Sequence, residues 1–193
     1  MTTVLDFGHG GIKDGVYTTA PRKMFDFGDV VAYEGVINRE IGKKIAECLP
    51  NVVLTAPDAD DVPLKERVRI ANEYPDSVFV SIHCNASPKH NAGGFEIYTT
   101  HKRTKSDLLA LEIHKAVKPT LERYGIKDRG IREADFYVLR NTTMPAVLIE
   151  CGFFDYRPDF DVLTNEAFQK DFASFVATGI LNYFNAQKEI FGT

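Results

Sequence analysis

Three residues far apart in the chain, His9, Glu34 and His83, are of the types that bind a transition metal. Each histidine follows a short apolar run typical of a buried strand, and ligands of α/β sheets collect beyond the carboxyl ends of such strands. Two imidazoles and one carboxylate leave one position open, which is the pattern of a catalytic zinc ion. For each histidine alone, a turn or core position without metal is the alternative interpretation.

Glu34 begins a segment whose apolar residues recur at helical spacing, so it is predicted to lie in the first turn of a helix. A carboxylate there is favoured by the helix dipole, which is the alternative to a role as a metal ligand. Asp26, Asp29 and Glu40 are other carboxylates in the same region. We select Glu34 because it heads the apolar-faced helix.

Glu150 ends an apolar run that begins at Ala146. A charge at the end of a buried strand is costly without a partner, so Glu150 is either part of an ion pair or a general base beside the metal. Zinc would acidify water and polarise a carbonyl, which makes hydrolysis the expected chemistry. Strand alternation turns the neighbouring Cys84 and Cys151 to the opposite face, where we expect small buried side chains.

Asn85 and Arg140 follow predicted strand ends near the proposed metal, and both are predicted to line the substrate cleft. The planar guanidinium of Arg140 suits a carboxylate on the substrate. Arg67 lies on a predicted helix that begins at Leu64, and there the default expectation is a solvated side chain.

The elements that must position these residues alternate between strands and helices. We predict one α/β domain over residues 1–193, with a central, mostly parallel sheet of about six strands flanked by helices. The predicted strands are 4–5, 52–55, 77–83, 93–98, 136–140 and 146–152. The predicted helices are 34–49, 64–74, 107–124 and 166–184. Residues 12–33 and 126–135 are predicted loops, the first with room for a short hairpin, and Thr104-Lys105-Ser106-Asp107 resembles a capping box.

Composition excludes several classes of function. The 193 residues are 44% hydrophobic and carry a formal net charge of −4, which does not favour nucleic acid or an anionic membrane surface. No apolar run reaches the length of a membrane span, so we expect no membrane insertion. The chain starts directly with strand residues and has no signal-like segment, so we expect synthesis in the cytoplasm. Three cysteines are too few for a disulfide framework and fit a reducing compartment.

An ordered set of motifs spans nearly the whole chain and resembles the zinc-dependent N-acetylmuramoyl-L-alanine amidases of the type-3 amidase family. The motifs are Asp6-Phe7-Gly8-His9-Gly10-Gly11, Glu34 opening a helix, Leu64-Lys65-Glu66-Arg67 with Ala71-Asn72, Ser81-Ile82-His83-Cys84-Asn85-Ala86, Arg129-Gly130 with Tyr137-Val138-Leu139-Arg140, and Pro145 to Phe153. The resemblance implies a single α/β domain of about six strands. It also implies zinc ligands at His9, Glu34 and His83, and Glu150 as the catalytic carboxylate.

The implied substrate is the amide between N-acetylmuramic acid and the L-alanine of the peptidoglycan stem peptide. The sequence departs from the family pattern at Phe7, where proline is usual, and in a longer separation between His9 and Glu34. A bare catalytic domain without a signal sequence looks like a phage endolysin, a monomer that reaches the wall after release. The alternative is a part of a larger secreted or periplasmic autolysin.

Two other classes of function stay open. A zinc peptidase that acts within stem peptides would need a cation for a substrate carboxylate, and Arg67, Arg132 or Arg140 could serve. A non-catalytic peptidoglycan-binding module would have no need of a base, so the presence of Glu150 argues against it.

Overall fold

The computed structural model describes residues 1–101 and 105–191. These residues form ten strands and six helices. The strands are β1 (Thr2–Phe7), β2 (Ile12–Lys13), β3 (Val16–Tyr17), β4 (Met24–Asp26), β5 (Val31–Tyr33), β6 (Val52–Leu54), β7 (Ser77–Asn85), β8 (Phe95–Thr99), β9 (Asp128–Glu133) and β10 (Ala146–Phe153). The helices are α1 (Glu34–Glu47), α2 (Leu64–Asn72), α3 (Lys105–Tyr124), α4 (Tyr137–Asn141), α5 (Arg157–Leu163) and α6 (Glu166–Phe191).

Six strands form the central sheet in the order β6-β1-β7-β10-β8-β9. β6, β1, β7 and β10 run parallel to one another, whereas β8 is antiparallel to β10 and β9 is parallel to β8. The predicted α/β domain with a mostly parallel sheet is therefore confirmed. Because β1, β7 and β10 are parallel, their carboxyl ends lie at the same end of the sheet, and the residues predicted to bind the metal lie there.

Alternate residues of each strand pack on opposite faces of the sheet. The larger core cluster includes Leu5 and Ile149 and lies on the face that α1, α3 and α6 cover. The smaller cluster includes Val4 and Leu148 and is completed by side chains of α2 and α4. Both faces of the sheet are thus covered, as expected for long apolar strands in an α/β protein.

The alternation also separates the cysteines from their charged neighbours. Cys84 and Cys151 are buried in the larger cluster, as predicted. His83 and Glu150, one residue earlier in each strand, therefore point to the other face, and they are register partners on β7 and β10. Register alone thus places the second histidine beside the proposed base.

Two predictions in the region 126–141 are wrong. Residues 136–140, predicted as a strand, begin helix α4 at Tyr137, and a short apolar run does not distinguish the two structures. The sixth strand is instead β9, within the predicted loop 126–135. β9 lies at the edge of the sheet, and charged edge strands lack the apolar alternation by which strands are recognised.

The structure adds elements to two other regions of the chain. The segment 12–33 holds two short antiparallel strand pairs, β2 with β3 and β4 with β5, whereas the sequence predicts a loop with room for one short hairpin. Helix α5 was not predicted. Of the predicted capping box, Thr104 lies outside the described residues. No helix within 1–101 and 105–191 has the length and apolar character needed to cross a bilayer.

Candidate metal centre and catalytic carboxylate

His9 lies in the turn that follows β1, in a left-handed backbone conformation with φ of 63°. Such a value is uncommon outside glycine and persists where the surroundings enforce it. Here Arg39 Nη1 and Arg67 Nη2 donate hydrogen bonds of 2.8 and 3.1 Å to the His9 carbonyl. The glycine turn is needed for close approach as well, because a Cβ on Gly8 would lie 2.3 Å from the ring of His83.

Glu34 is the first residue of α1, and its side chain is 1% exposed. The Glu34 N–H donates to the carbonyl of Lys23, which joins the start of the helix to the segment before it. Its carboxylate Oε1 accepts from the backbone N–H of Cys84 and from Asn38 Nδ2, both at 3.4 Å. The side chain is thus fixed from two elements.

The three other carboxylates considered near Glu34 have different surroundings. Asp26 accepts from the N–H of Gly28, Asp29 pairs with Arg157, and Glu40 accepts from Gln169. The candidate metal-binding cluster that the described residues form includes none of the three.

His9, Glu34 and His83 come together although 74 residues separate the first from the last. Glu34 Oε1 lies 3.0 Å from His83 Nδ1 and 3.3 Å from His9 Nε2, and each side chain offers a ligand atom within 4.8 Å of the others. His9 Nε2 and Glu34 Oε2 are buried without a hydrogen-bond partner. Two nitrogens and a carboxylate with buried, unsatisfied atoms fit a zinc ion with an open position.

Electrostatics couples these three side chains. Burial alone would raise the pKa of Glu34, but the His83 and His9 rings outweigh it and lower that pKa far below its usual value. For His83, burial disfavours the charged ring, whereas Glu34 raises the pKa above its usual value. A carboxylate that stays ionised beside two imidazoles is suited to a cation. One cation already lies near this carboxylate, since Lys23 Nζ is 3.5 Å from Glu34 Oε2.

Glu150 lies beside this cluster without belonging to it. It is the register partner of His83, and its Oε2 is buried without a hydrogen-bond partner. Burial is the main reason why the pKa of Glu150 rises to about 8, while the charge of His83 opposes the rise and that of Glu34 adds to it. A carboxyl group that titrates near neutral pH can both accept and return a proton.

A buried ion pair lies behind the candidate metal centre and is not predicted from the sequence. Arg67 is fully buried, so the expectation of a solvated side chain is wrong. Its Nη1 lies 2.8 Å from Asp6 Oδ1, and its other donors bind the carbonyls of Val62, Phe7 and His9. The signal was Asp6 itself, since a carboxylate inside a buried strand needs a partner.

The ion pair of Asp6 and Arg67 is expected to stabilise the fold. Replacing Arg67 with alanine leaves Asp6 buried and unpaired, and loss of one partner of a buried pair costs about 3–5 kcal/mol of unfolding free energy. The matched control is Arg69→Ala on the same helix, whose ion pairs with Glu66 and Glu73 are exposed and screened by solvent, so we expect a much smaller loss. Urea unfolding measures both, and equal losses would contradict a special role for Arg67.

The pH dependence of this pair has a definite sign. Burial would raise the pKa of Asp6, but Arg67 and the hydroxyls of Ser81 and Thr55 hold it below its usual value of 3.8. A lowered pKa in the folded state stabilises the protein above about pH 4. We therefore expect this contribution to be lost as the pH falls below 4 through the folded-state pKa, and to be smaller in the Arg67→Ala variant, where only the hydroxyls of Ser81 and Thr55 still lower the pKa of Asp6.

The two predicted substrate residues lie in different places. Asn85 ends β7 and donates a hydrogen bond of 3.3 Å to Glu96, the register partner of Glu150 on β8. Arg140 lies in α4, not at a strand end, and its Nη1 bonds Asp135. It lines a cavity near Pro145, before the start of β10. The structure does not bring Arg140 to the metal cluster, and its role in binding substrate stays a prediction.

A cavity of about 270 Å³ opens directly beside His9 and His83. Its far wall is formed by Val62, Pro63 and Leu64, where α2 begins. The His9, Glu34 and His83 cluster therefore has free space on the side of α2, whereas Glu150 and Glu96 lie on the side of β10 and β8.

Comparisons with known proteins agree with this geometry. The family model described as N-acetylmuramoyl-L-alanine amidase matches residues 3–182. The endolysin of Bacillus phage SPP1 is 34% identical over 98% of this chain and 68% of its own length. The amidase CwlM of Bacillus licheniformis is 31% identical over 95% of this chain and 69% of its own.

A solved structure shows that the fold is shared. The crystal structure of N-acetylmuramoyl-L-alanine amidase from Clostridium difficile 630 matches with a TM-score of 0.80 and 33% identity, over 96% of this chain and 97% of that one. Fold, motif order and sequence similarity thus lead to one conclusion: this chain belongs to the N-acetylmuramoyl-L-alanine amidase family.

Proposed function

We propose that this chain hydrolyses the amide bond between N-acetylmuramic acid and L-alanine in peptidoglycan, with Zn²⁺ bound by His9, Glu34 and His83, and that residues 1–193 act as one catalytic domain. Membership of the amidase family supports the bond that is cut. The convergence of the three donor side chains supports the metal.

When bound, zinc would supply Lewis acidity to the amide carbonyl and to water. Hydrogen bonds from neighbouring residues hold the proposed ligands in place. Arg39 and Arg67 fix the backbone of His9, while the Cys84 N–H and Asn38 orient the carboxylate of Glu34. Partners of this kind hold metal ligands in one orientation and raise metal affinity.

Glu150 would move the proton. It accepts one from the attacking water and returns it to the nitrogen of L-alanine, which leaves as a neutral amine. Burial raises the pKa of Glu150 in the metal-free protein, so the environment favours a carboxyl group that can hold a proton between the two transfers. The position beside His83 on the adjacent strand places it next to the metal cluster.

The proposal depends most on Glu150, a partly buried residue whose Oε2 is buried without a hydrogen-bond partner and which lies next to the three-residue cluster without being part of it. If Glu150 were a fourth ligand, the site would resemble a closed structural zinc site. A binding module would have no use for a buried carboxylate oxygen without a partner, because such an atom lowers the stability of the fold. A hydrolase uses both the open metal position and the base.

We further propose that the substrate is peptidoglycan alone, acted on by a monomer at the cell wall, without nucleic acid or membrane insertion. The net charge of −4 is in keeping with an absence of nucleic acid as a partner. Gel filtration with light scattering tests the monomer.

Digestion of purified peptidoglycan tests the bond that is cut. We expect new amino termini of L-alanine, released in step with solubilised peptide, and unchanged glycan strands. Amino-terminal labelling followed by amino-acid analysis identifies the residue. New termini from within the stem peptide would establish the zinc peptidase, new reducing ends would mean a glycosidase, and binding without any release would mean a non-catalytic module.

A further inference from the structure

A row of polar side chains crosses the sheet away from the metal cluster. His83, Glu150 and Glu96 are successive register partners on β7, β10 and β8, so their side chains share one face. On the next strand, β9, Arg132 is the register partner of Tyr98 and shares that face with Glu96. The row therefore leads from the proposed metal through the proposed base to an arginine at the edge of the sheet.

Glu96 organises this end of the row. Its side chain is buried and accepts from Arg129 Nε, from the hydroxyl of Tyr98 at 2.5 Å and from Asn85 Nδ2 at 3.3 Å. Arg129 is also held by the carbonyl of Gly93 at 3.3 Å. Glu96 is thus buried and paired directly with Arg129, whose side chain is partly exposed.

Arg132 is bound much less completely. Its side chain is 47% exposed, and its contact with Glu96 is a single one, of 3.3 Å from Nε to Oε1. Its guanidinium forms no other contact of this kind with a residue in the described ranges 1–101 and 105–191, whereas its backbone is paired with β8. Two arginines face one glutamate here, so the cluster keeps a positive charge and free guanidinium donors at the surface, which are the features of a carboxylate-binding site.

The other two arginines considered as carboxylate-binding residues do not have these features. Arg67 is buried, with its donors bound to Asp6 and to backbone carbonyls. Arg140 pairs with Asp135 at 2.5 Å and lines the cavity near Pro145. Of the three, Arg132 is the one next to the row that contains Glu150.

We propose that Arg132 binds a carboxylate in the peptide part of the substrate and so sets the direction in which the substrate lies. The proposal rests on the proposed amidase function. Two strand spacings of about 4.8 Å separate β10 from β9, and an extended peptide advances about 3.4 Å per residue. A carboxylate within the first three residues after the scissile amide would thus reach Arg132. In this orientation the sugar would lie on the opposite side, toward the cavity that His9, His83 and Leu64 line.

Paired substrates test this inference. The probes are a soluble disaccharide tripeptide with free carboxylates and the same compound with every peptide carboxylate converted to a carboxamide. Their dissociation constants are measured by calorimetry with the zinc-loaded Glu150→Gln protein, alone and combined with Arg132→Gln. The matched control is Arg123→Gln, an exposed arginine on α3 that pairs with Asp171.

We expect Arg132→Gln to weaken binding of the free acid about tenfold to a hundredfold, the value of one charge-assisted hydrogen-bonded pair, and to leave binding of the amidated probe unchanged. Arg132→Lys restores part of the loss, since it keeps the charge and not the planar fork. Arg123→Gln changes neither constant. Equal effects of Arg132→Gln on both probes, or no effect on either, would overturn the proposal.

A parallel turnover assay distinguishes failure of the amidase function from failure of the Arg132 proposal. Turnover of the free acid by the zinc-loaded wild-type protein is followed in parallel by release of L-alanine amino termini. Turnover without discrimination between the probes refutes the role of Arg132 and leaves the amidase intact. Discrimination in binding without turnover supports the carboxylate site and refutes the amidase.

Discussion

Glu150→Gln is expected to lower the rate of peptidoglycan hydrolysis by about a hundredfold to ten-thousandfold, the usual value of general acid–base assistance. Glutamine keeps the shape of the side chain but cannot accept a proton from water or deliver one to the leaving amine. The variant should retain its zinc and its affinity for peptidoglycan fragments, because the three ligand side chains are unchanged. Initial rates, zinc content and fragment binding are measured on the same sample.

The stability of this variant gives a second readout with a defined sign. Burial raises the pKa of Glu150 from 4.5 to about 8, so the folded state holds this proton more tightly than the unfolded state. The carboxylate therefore destabilises the metal-free fold increasingly as the pH rises from about 4.5 to about 8. Glutamine has no such cost, and metal-free Glu150→Gln should be at least as stable as the wild type at neutral pH. Loss of zinc in step with activity would instead make Glu150 a ligand.

His83→Ala and His9→Ala are expected to abolish activity by loss of the metal. Each removes one of the three proposed ligands, and even outer partners of a ligand are worth about 10–100-fold in metal affinity. We expect zinc affinity to fall by more than about a hundredfold, measured by competition with a chromophoric chelator. His101→Ala is the matched control, because His101 is exposed and pairs with Glu133. Wild-type zinc affinity in both ligand variants would contradict the assignment.

Residues at the ends of central strands could be predicted from the sequence. His9, His83 and Glu150 each interrupt or follow an apolar run, and side-chain alternation correctly placed Cys84 and Cys151 on the other face. These inferences depend on local pattern alone, which a buried parallel strand displays strongly. Choosing Glu34 over its neighbouring carboxylates needed more than local pattern, since the first turn of a helix favours any acidic residue.

Residues whose role depends on distant partners could not be predicted in the same way. Asp6 and Arg67 are 61 residues apart, and nothing in the helical pattern of α2 marks Arg67 as buried. Arg132 lies on an edge strand whose charges resemble those of a loop, and its partner Glu96 is on a different strand. Pairings of this kind follow from strand order, and the sequence does not reveal strand order.

The most direct test of the central claim is a zinc titration of the metal-free enzyme. Metal is removed by chelation, the absence of zinc is checked by elemental analysis, and release of L-alanine amino termini from peptidoglycan is measured as zinc is added. If zinc is required, we expect no activity without metal and a linear rise that ends at one zinc per chain. Full activity in the sample shown to be free of metal would contradict it.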